Sequence, residues 1–166
     1  SSNSKYFVLI TDEFSRYKWV LFTRKKSMFP VLILEKLTQL QLRFEQTVKY
    51  FHTDGGMEFL EKRLQDFFKT QGTTLELSEV ATPEQNGRAE RANRIIIEKA
   101  RCLLLSAGLA RGFWYWAVKT AVFLSNRTWS KQLNDLPFTK LYLKEPDLTI
   151  LRVFGAHSFG VFVDDK

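Results

Sequence analysis

Short apolar runs rich in β-branched and aromatic residues alternate along this chain with longer segments whose apolar residues recur at helical spacing. That alternation restricts the fold more than any other feature. "KYFVLIT" (5–11) and "YKWVLFTR" (17–24) read as two strands joined by the polar turn "DEFSR", a hairpin. A helix is predicted over "SMFPVLILEKLTQLQLRFEQ" (27–46), where Ser27 suits the N-cap, Pro30 falls in the first turn, and Leu34, Leu37 and Leu40 keep near-helical spacing. "VKYFHT" (48–53) then reads as a strand. "EFLEKRLQDFFKT" (58–70) reads as a helix with Leu60, Leu64, Phe67 and Phe68 on one side, and "TTLEL" (73–77) as another short strand. After a loop over 78–86, a long helix is predicted from about Gly87 to Ala107, stopped at Gly108, and an aromatic-rich one from about Phe113 to Thr128. The tail "LRVFGAHSFGVFV" (151–163) returns to strand character. The class is α/β, with helices covering a mostly buried sheet.

Two carboxylates stand out on this scaffold. Asp54 follows directly on a predicted strand, and Gly55 and Gly56 behind it let the backbone turn sharply and leave space above the acid. Beyond thirty-five intervening residues, Glu90 falls in the first turn of the long helix. At about 100° per residue it shares a face with Asn93, Arg94, Ile97 and Arg101, beside an apolar stripe of Ala89, Ala92, Ile96, Ala100 and Leu103. A carboxylate at a strand end and one on a helix packed beside it can converge on a cation, and Mg2+ or Mn2+ suits hard oxygen donors. Two such ions would activate a water or a 3′-hydroxyl for in-line phosphoryl transfer. An acid near a helix start is also explained as a partner of the helix dipole, and spacing alone leaves both readings open.

The charge balance points to a polyanionic partner: 25 Lys and Arg against 18 Asp and Glu leave +7. Residues 16–26 hold five basic residues and no acid, interleaved with Tyr17, Trp19 and Phe22. Arg88 to Arg101 holds five more against Glu90 and Glu98. Lys18, Arg24, Lys25 and Lys26, with Arg88, Arg91 and Arg101, are therefore candidate phosphate contacts; the alternative is ordinary solvated faces. A length of 166 residues suits one domain able to bury most of its apolar surface without staples. Cys102, the one cysteine, lies in the run "CLLL" and reads as a small core hydrophobe. "SSNSKYF" has no leader character and no apolar run approaches the roughly 20 residues of a membrane span, so the expectation is a soluble, intracellular chain without membrane partners.

"FHTDGGMEF" and "TPEQNGRAERANR" resemble the second and third carboxylate motifs of the retroviral-type integrase core, a D,D-35-E enzyme. "KYFVLITDEFSRYKWV", "LLLSAGLARGFWYWAVKTAVFLSNR" and "LPFTKLYLKEPDLTILRVFGAHSFGVFV" are similar to copia-type LTR retrotransposon polyproteins, and the resemblance runs in order over nearly the whole chain. It implies an RNase H-like fold, a mixed β-sheet flanked by helices. It also implies a polynucleotidyl transferase that joins 3′ ends of element DNA to target DNA, acting as a homo-oligomer in the nucleus. Asp54 and Glu90 carry over as catalytic metal ligands. Asn86, Asn93 and Arg94 match positions that line the family's site or contact DNA. Where the family usually has Asn after the second acid, this chain has Gly55. By the same resemblance, residues 1–130 are the catalytic core and 131–166 a linker and the start of a β-rich module.

The family's first catalytic acid sits on a strand preceding the segment that "TDEFSRY" matches, and only "SSNS" precedes Lys5 here. The resemblance thus implies that the first, central strand is missing, leaving either a seam between 5–11 and 48–53 or a substitute strand such as "HSFGVFV". Asp12, at the end of the first predicted strand, is a candidate third ligand. The reading favoured for it is a turn residue whose side chain accepts from nearby backbone N–H groups. His52 alternates onto the face of Asp54 and reads as a hydrogen-bonded strand histidine, His157 has no partner at metal-ligand spacing, and Trp114 and Trp116 read as core or subunit interface. Two function classes follow: an integrase core active in its complete parent chain, or a non-catalytic DNA-binding or assembly remnant. An upstream open frame supplying an Asp-bearing strand separates them.

Overall fold

A computed structural model of the chain describes residues 3–53, 62–77 and 83–157. The element order is β1 (Tyr6–Thr11), β2 (Lys18–Thr23), α1 (Phe29–Phe44), β3 (Tyr50–Thr53), α2 (Lys62–Gln71), β4 (Thr74–Leu77), α3 (Pro83–Ser106), α4 (Trp114–Ser125) and α5 (Pro137–Tyr142). Strands and helices interleave as their apolar periods predict. β1 pairs with β2 and β3 with β4, in two separate two-stranded sheets. Lys5 N–H donates to Thr23 C=O and Asp12 N–H to Tyr17 C=O, both at 2.9 Å, closing the two ends of the first pair. The second pair is parallel, with Tyr50 opposite Thr74 and Thr53 opposite Leu77.

The chain packs as two units, Ser1–Ile10 with Trp19–Arg94, and Thr11–Lys18 with Ile95–Lys166. In the first, Phe29, Ile33 and Leu37 recur every fourth residue of α1 and are buried together with Leu64 and Phe68 of α2. Burying a side chain of this size contributes roughly 1.5–3 kcal/mol. Val8, Ile10, Leu21, Phe51 and Leu75 pack against this cluster from the strands, and the Phe51 and Phe68 rings stand 5.0 Å apart. Both strand pairs thus cover one core, yet among the described residues no ladder joins β1 to β3. Among the described residues the sheet is thus two pairs with a seam between 5–11 and 48–53, one of the two outcomes expected where the resemblance places the first, central strand. The substitute strand proposed for "HSFGVFV" begins in this chain at His157 and continues outside the described residues.

Ser27 is not the N-cap of α1. It lies in a 3-10 turn over Lys26–Met28, and the cap position is Met28, with no side-chain bond. Upstream of that turn, the Thr23 hydroxyl donates to Lys25 C=O and accepts from Lys25 N–H.

In the second unit, Ile96 and Ala100 of α3 and Ala117, Val118, Ala121 and Val122 of α4 are buried. Cys102 is exposed, contrary to the core reading. Two positions beyond buried Ala100 place it about 200° round the helix, on the opposite face. α3 begins at Pro83, inside the predicted loop, because proline's fixed φ and missing N–H suit a first helical turn. The six-residue α5 has no counterpart in the sequence reading. Too short to persist alone, it is held by tertiary contacts, Tyr17 lying 6.4 Å from the Phe138 ring and 5.5 Å, edge-on, from Tyr142. Residues 151–157 form no strand, correcting the expectation for that part of the tail. No helix among the described residues is long and apolar enough to cross a membrane.

Candidate functional site

Because α3 starts at Pro83, Glu90 stands seven residues into the helix and not in its first turn. The helix dipole acts within the first turn, so it gives no account of this carboxylate. Glu90 is exposed and makes no hydrogen bond or ion pair with another described residue. Asn93 and Arg94, one turn on, are exposed, as are Arg91 and Arg101. The polar face predicted from the 100° spacing is thus present on α3. Asn86 and Arg88 lie on α3, but their side chains fall outside the described ones. Asp54 lies outside the described residues, as do Gly55 and Gly56, so the approach of Asp54 to Glu90 does too. β3, which leads to Asp54, ends at buried Thr53.

Among the described residues no group of three or more His, Cys, Asp or Glu side chains is placed to hold a metal ion. An exposed carboxylate with no partner among the described residues is nevertheless a donor of the kind Mg2+ or Mn2+ takes, and Glu90 fits that chemistry. Asp12 is engaged otherwise. Its Oδ2 accepts from Ser15 N–H at 2.7 Å and from Ser15 Oγ at 2.5 Å, while Ser15 Oγ accepts from Tyr17 N–H at 3.2 Å. This is the turn role anticipated for it, built around a fully buried serine. His52 Nδ1 lies 2.9 Å from Glu76 Oε2, across the ladder position the two residues share. His157 is exposed.

The basic run 16–26 is divided between the two units. Arg24, Lys25 and Lys26 are exposed in the first unit, with Lys26 Nζ 5.8 Å from the centre of the Tyr6 ring. Lys18 belongs to the second unit and is half-buried, its Nζ donating to Arg16 C=O at 2.9 Å. Burial, and then the charges of Lys99 and Arg16, hold its ammonium below the usual lysine pKa.

Sequence reasoning missed Asn126, which is 2% exposed. Its Oδ1 accepts from Lys18 N–H and its Nδ2 donates to Lys18 C=O, each at 2.8 Å, in the manner of a strand neighbour. A polar residue just after "AVFLS" signals a helix end; nothing local signals a partner 108 positions away. Trp116 is 48% exposed, so the core half of the reading for the tryptophans fails there. Its ring meets Tyr115 edge-on at 5.0 Å and Lys119 Nζ at 5.6 Å.

No family model matches the chain. It is 34% identical over 154 residues to the retrovirus-related Pol polyprotein from transposon RE1 of Arabidopsis thaliana, a match that covers 92% of this chain and 10% of that polyprotein. The chain thus spans about a tenth of the length of this curated relative. Its fold is similar to the HTLV-2 integrase catalytic core domain solved in complex with magnesium, with TM-score 0.59, 18% identity, and 78% and 80% of the two chains covered. It is also similar to a chain of the simian T-cell lymphotropic virus intasome, with TM-score 0.66, 14% identity, and 96% and 54% covered. By sequence the chain is a homologue of one segment of the retrovirus-related Pol polyproteins of plant transposons, and it has the RNase H-like fold of integrase catalytic cores.

Proposed function

We propose that, within its parent polyprotein, this chain is the part of a retrotransposon integrase that joins 3′ ends of element DNA to target DNA, with Asp54 and Glu90 as ligands to Mg2+ or Mn2+. The observation that carries the reading is Glu90: an exposed carboxylate on α3, beyond the reach of the helix dipole and unpartnered among the described residues, followed one turn on by exposed Asn93 and Arg94. No described residue engages this carboxylate, which suits it to a divalent cation. When bound, the ion stabilises charge on the transferring phosphoryl group and activates the attacking hydroxyl. Glu90 and Asp54 would hold it, and Arg91, Asn93 and Arg94 of the same unit would hold DNA phosphates. Magnesium in the HTLV-2 neighbour supports the choice of ion, and that neighbour's trimeric form supports assembly as a homo-oligomer. The third carboxylate is assigned to a segment of the parent polyprotein upstream of β1, since Asp12 is committed to Ser15.

The test is strand transfer by the full parent protein, using an element-end duplex and a target plasmid. Asp54→Asn and Glu90→Gln should each abolish joining in folded protein, EDTA should do the same, and Asp12→Asn should retain it. Full activity in Glu90→Gln refutes the reading. Loss in a folded Asp12→Asn variant makes Asp12 the third ligand, and DNA binding without joining in the wild-type parent establishes the remnant.

A further inference from the structure

Between Glu98 and Asp135 the chain carries six cations and no acid, and Phe113, Trp114, Tyr115, Trp116, Phe123 and Trp129 fall in the same stretch. All of it belongs to the second unit. A 3-10 turn over Arg111–Phe113 runs straight into α4. The helix buries Ala117, Val118, Ala121 and Val122, so at about 100° per residue Trp116 and Lys119 come onto the opposite face. Phe113 is 47% exposed and Trp116 48%, and Arg111 and Lys119 are exposed with them.

The packed side of α4 is made of small and β-branched residues and does not call on these aromatic rings. Leaving two large rings in water forgoes the burial each offers, which marks a contact surface. Trp116 is supported where it stands: the Tyr115 ring meets it edge-on at 5.0 Å, and Lys119 Nζ lies 5.6 Å from its centre. Arg111 and Lys119 make no ion pair among the described residues. A partner for this face therefore offers flat apolar surface and negative charge together. A second copy of the same face sets like charges against each other. A duplex keeps its bases stacked inside its phosphates, whereas an unpaired strand presents base faces and phosphates side by side.

We propose that Phe113 and Trp116 stack on unpaired bases of single-stranded DNA, with Arg111 and Lys119, which flank them in sequence, taking phosphates of the same strand. The inference rests on the reading that the partner of this chain is DNA, and it adds a surface for bases that are out of the duplex. A base seated on the Trp116 ring carries its own phosphate toward the Lys119 ammonium beside that ring.

The test is binding by the full chain, in EDTA, of a labelled oligothymidylate and of an abasic strand of the same length, read by fluorescence anisotropy across a NaCl series. Stacking predicts that Trp116→Ala binds the oligothymidylate about 5- to 150-fold more weakly, at unchanged salt slope, and the abasic strand as wild type does. Trp116→Phe, which keeps a ring, should restore most of the affinity and shows that the fold survives changes at this position. Lys119→Gln should instead lower the slope of log affinity against log salt by about 0.7, the increment for one phosphate of a single strand. Full affinity in Trp116→Ala overturns the proposal. So does equal wild-type affinity for the two strands, a result that leaves DNA as the partner and removes only the stacking. Tighter binding of an oligouridylate than of the oligothymidylate assigns the face to RNA and overturns the DNA assignment. Sedimentation equilibrium decides the other occupant: a wild-type dimer that Trp116→Ala reduces to monomer makes the face a contact between copies, and the proposal falls. No substitution touches Asp54 or Glu90 and no metal is present, so the strand-transfer assay and this binding fail independently.

Discussion

Replacing Asn126 with alanine removes two hydrogen bonds at once, both at 2.8 Å and both to the backbone of Lys18, from a side chain that is 2% exposed. A buried donor or acceptor left without a partner costs roughly 1–3 kcal/mol, so the Lys18 N–H and C=O together imply about 2–6 kcal/mol. Water reaching half-buried Lys18 moves the loss toward the lower end of that range. The small cavity left by the amide adds to it. Set against a domain stability of about 5–15 kcal/mol, even the lower figure is large. Urea denaturation of wild type and Asn126→Ala should show a lower midpoint at similar slope. Hydrogen exchange should show the Lys18 amide losing protection before those of β3 and β4, which belong to the other unit. A stability change under about 0.5 kcal/mol, the size of an ordinary surface substitution, would refute the clamp, as would an unprotected Lys18 amide in wild type.

Two further outcomes follow from the second unit. The Tyr17 phenol is pushed up to about 12, chiefly by burial and then by Tyr142. The folded state therefore keeps a proton that the unfolded state gives up near pH 10. That contribution is complete below pH 10 and declines as pH rises from 10 to 12; absorbance titration at 295 nm should show one late tyrosine, and a Tyr17 that ionises with the others defeats the assignment. Gly155 has φ +81°, and a Cβ there would stand 2.6 Å from Ala107 Cβ. Gly155→Ala should lower the melting temperature, by about 1 kcal/mol or more of lost stability, and an unchanged melting temperature would show that the 151–157 segment does not pack on Ala107 as described.

The sequence by itself determined the order and type of most elements, because the period of apolar residues is a local property. Phe29, Ile33 and Leu37 recur on one side of a helix whatever surrounds them, and Val8, Ile10 and Leu21 alternate on strands. The same geometry sets Glu90, Asn93, Arg94 and Arg101 on one face of a helix, and the structure shows these four exposed. Tertiary structure alone decided where separate segments meet. α5 exists because Tyr17, Phe138 and Tyr142 come together, and its six residues carry no helical period long enough to read. Cys102 faces solvent because Ala100 sets which side of α3 is covered. The amide of Asn126 completes the backbone of a residue 108 positions earlier, and Lys18 belongs to the second unit although "RYKWVLFTRKK" groups it with Arg24, Lys25 and Lys26. Local spacing states which way a side chain points. The path of the backbone through the fold decides what it points at, and that path is fixed by the packing of all the elements together.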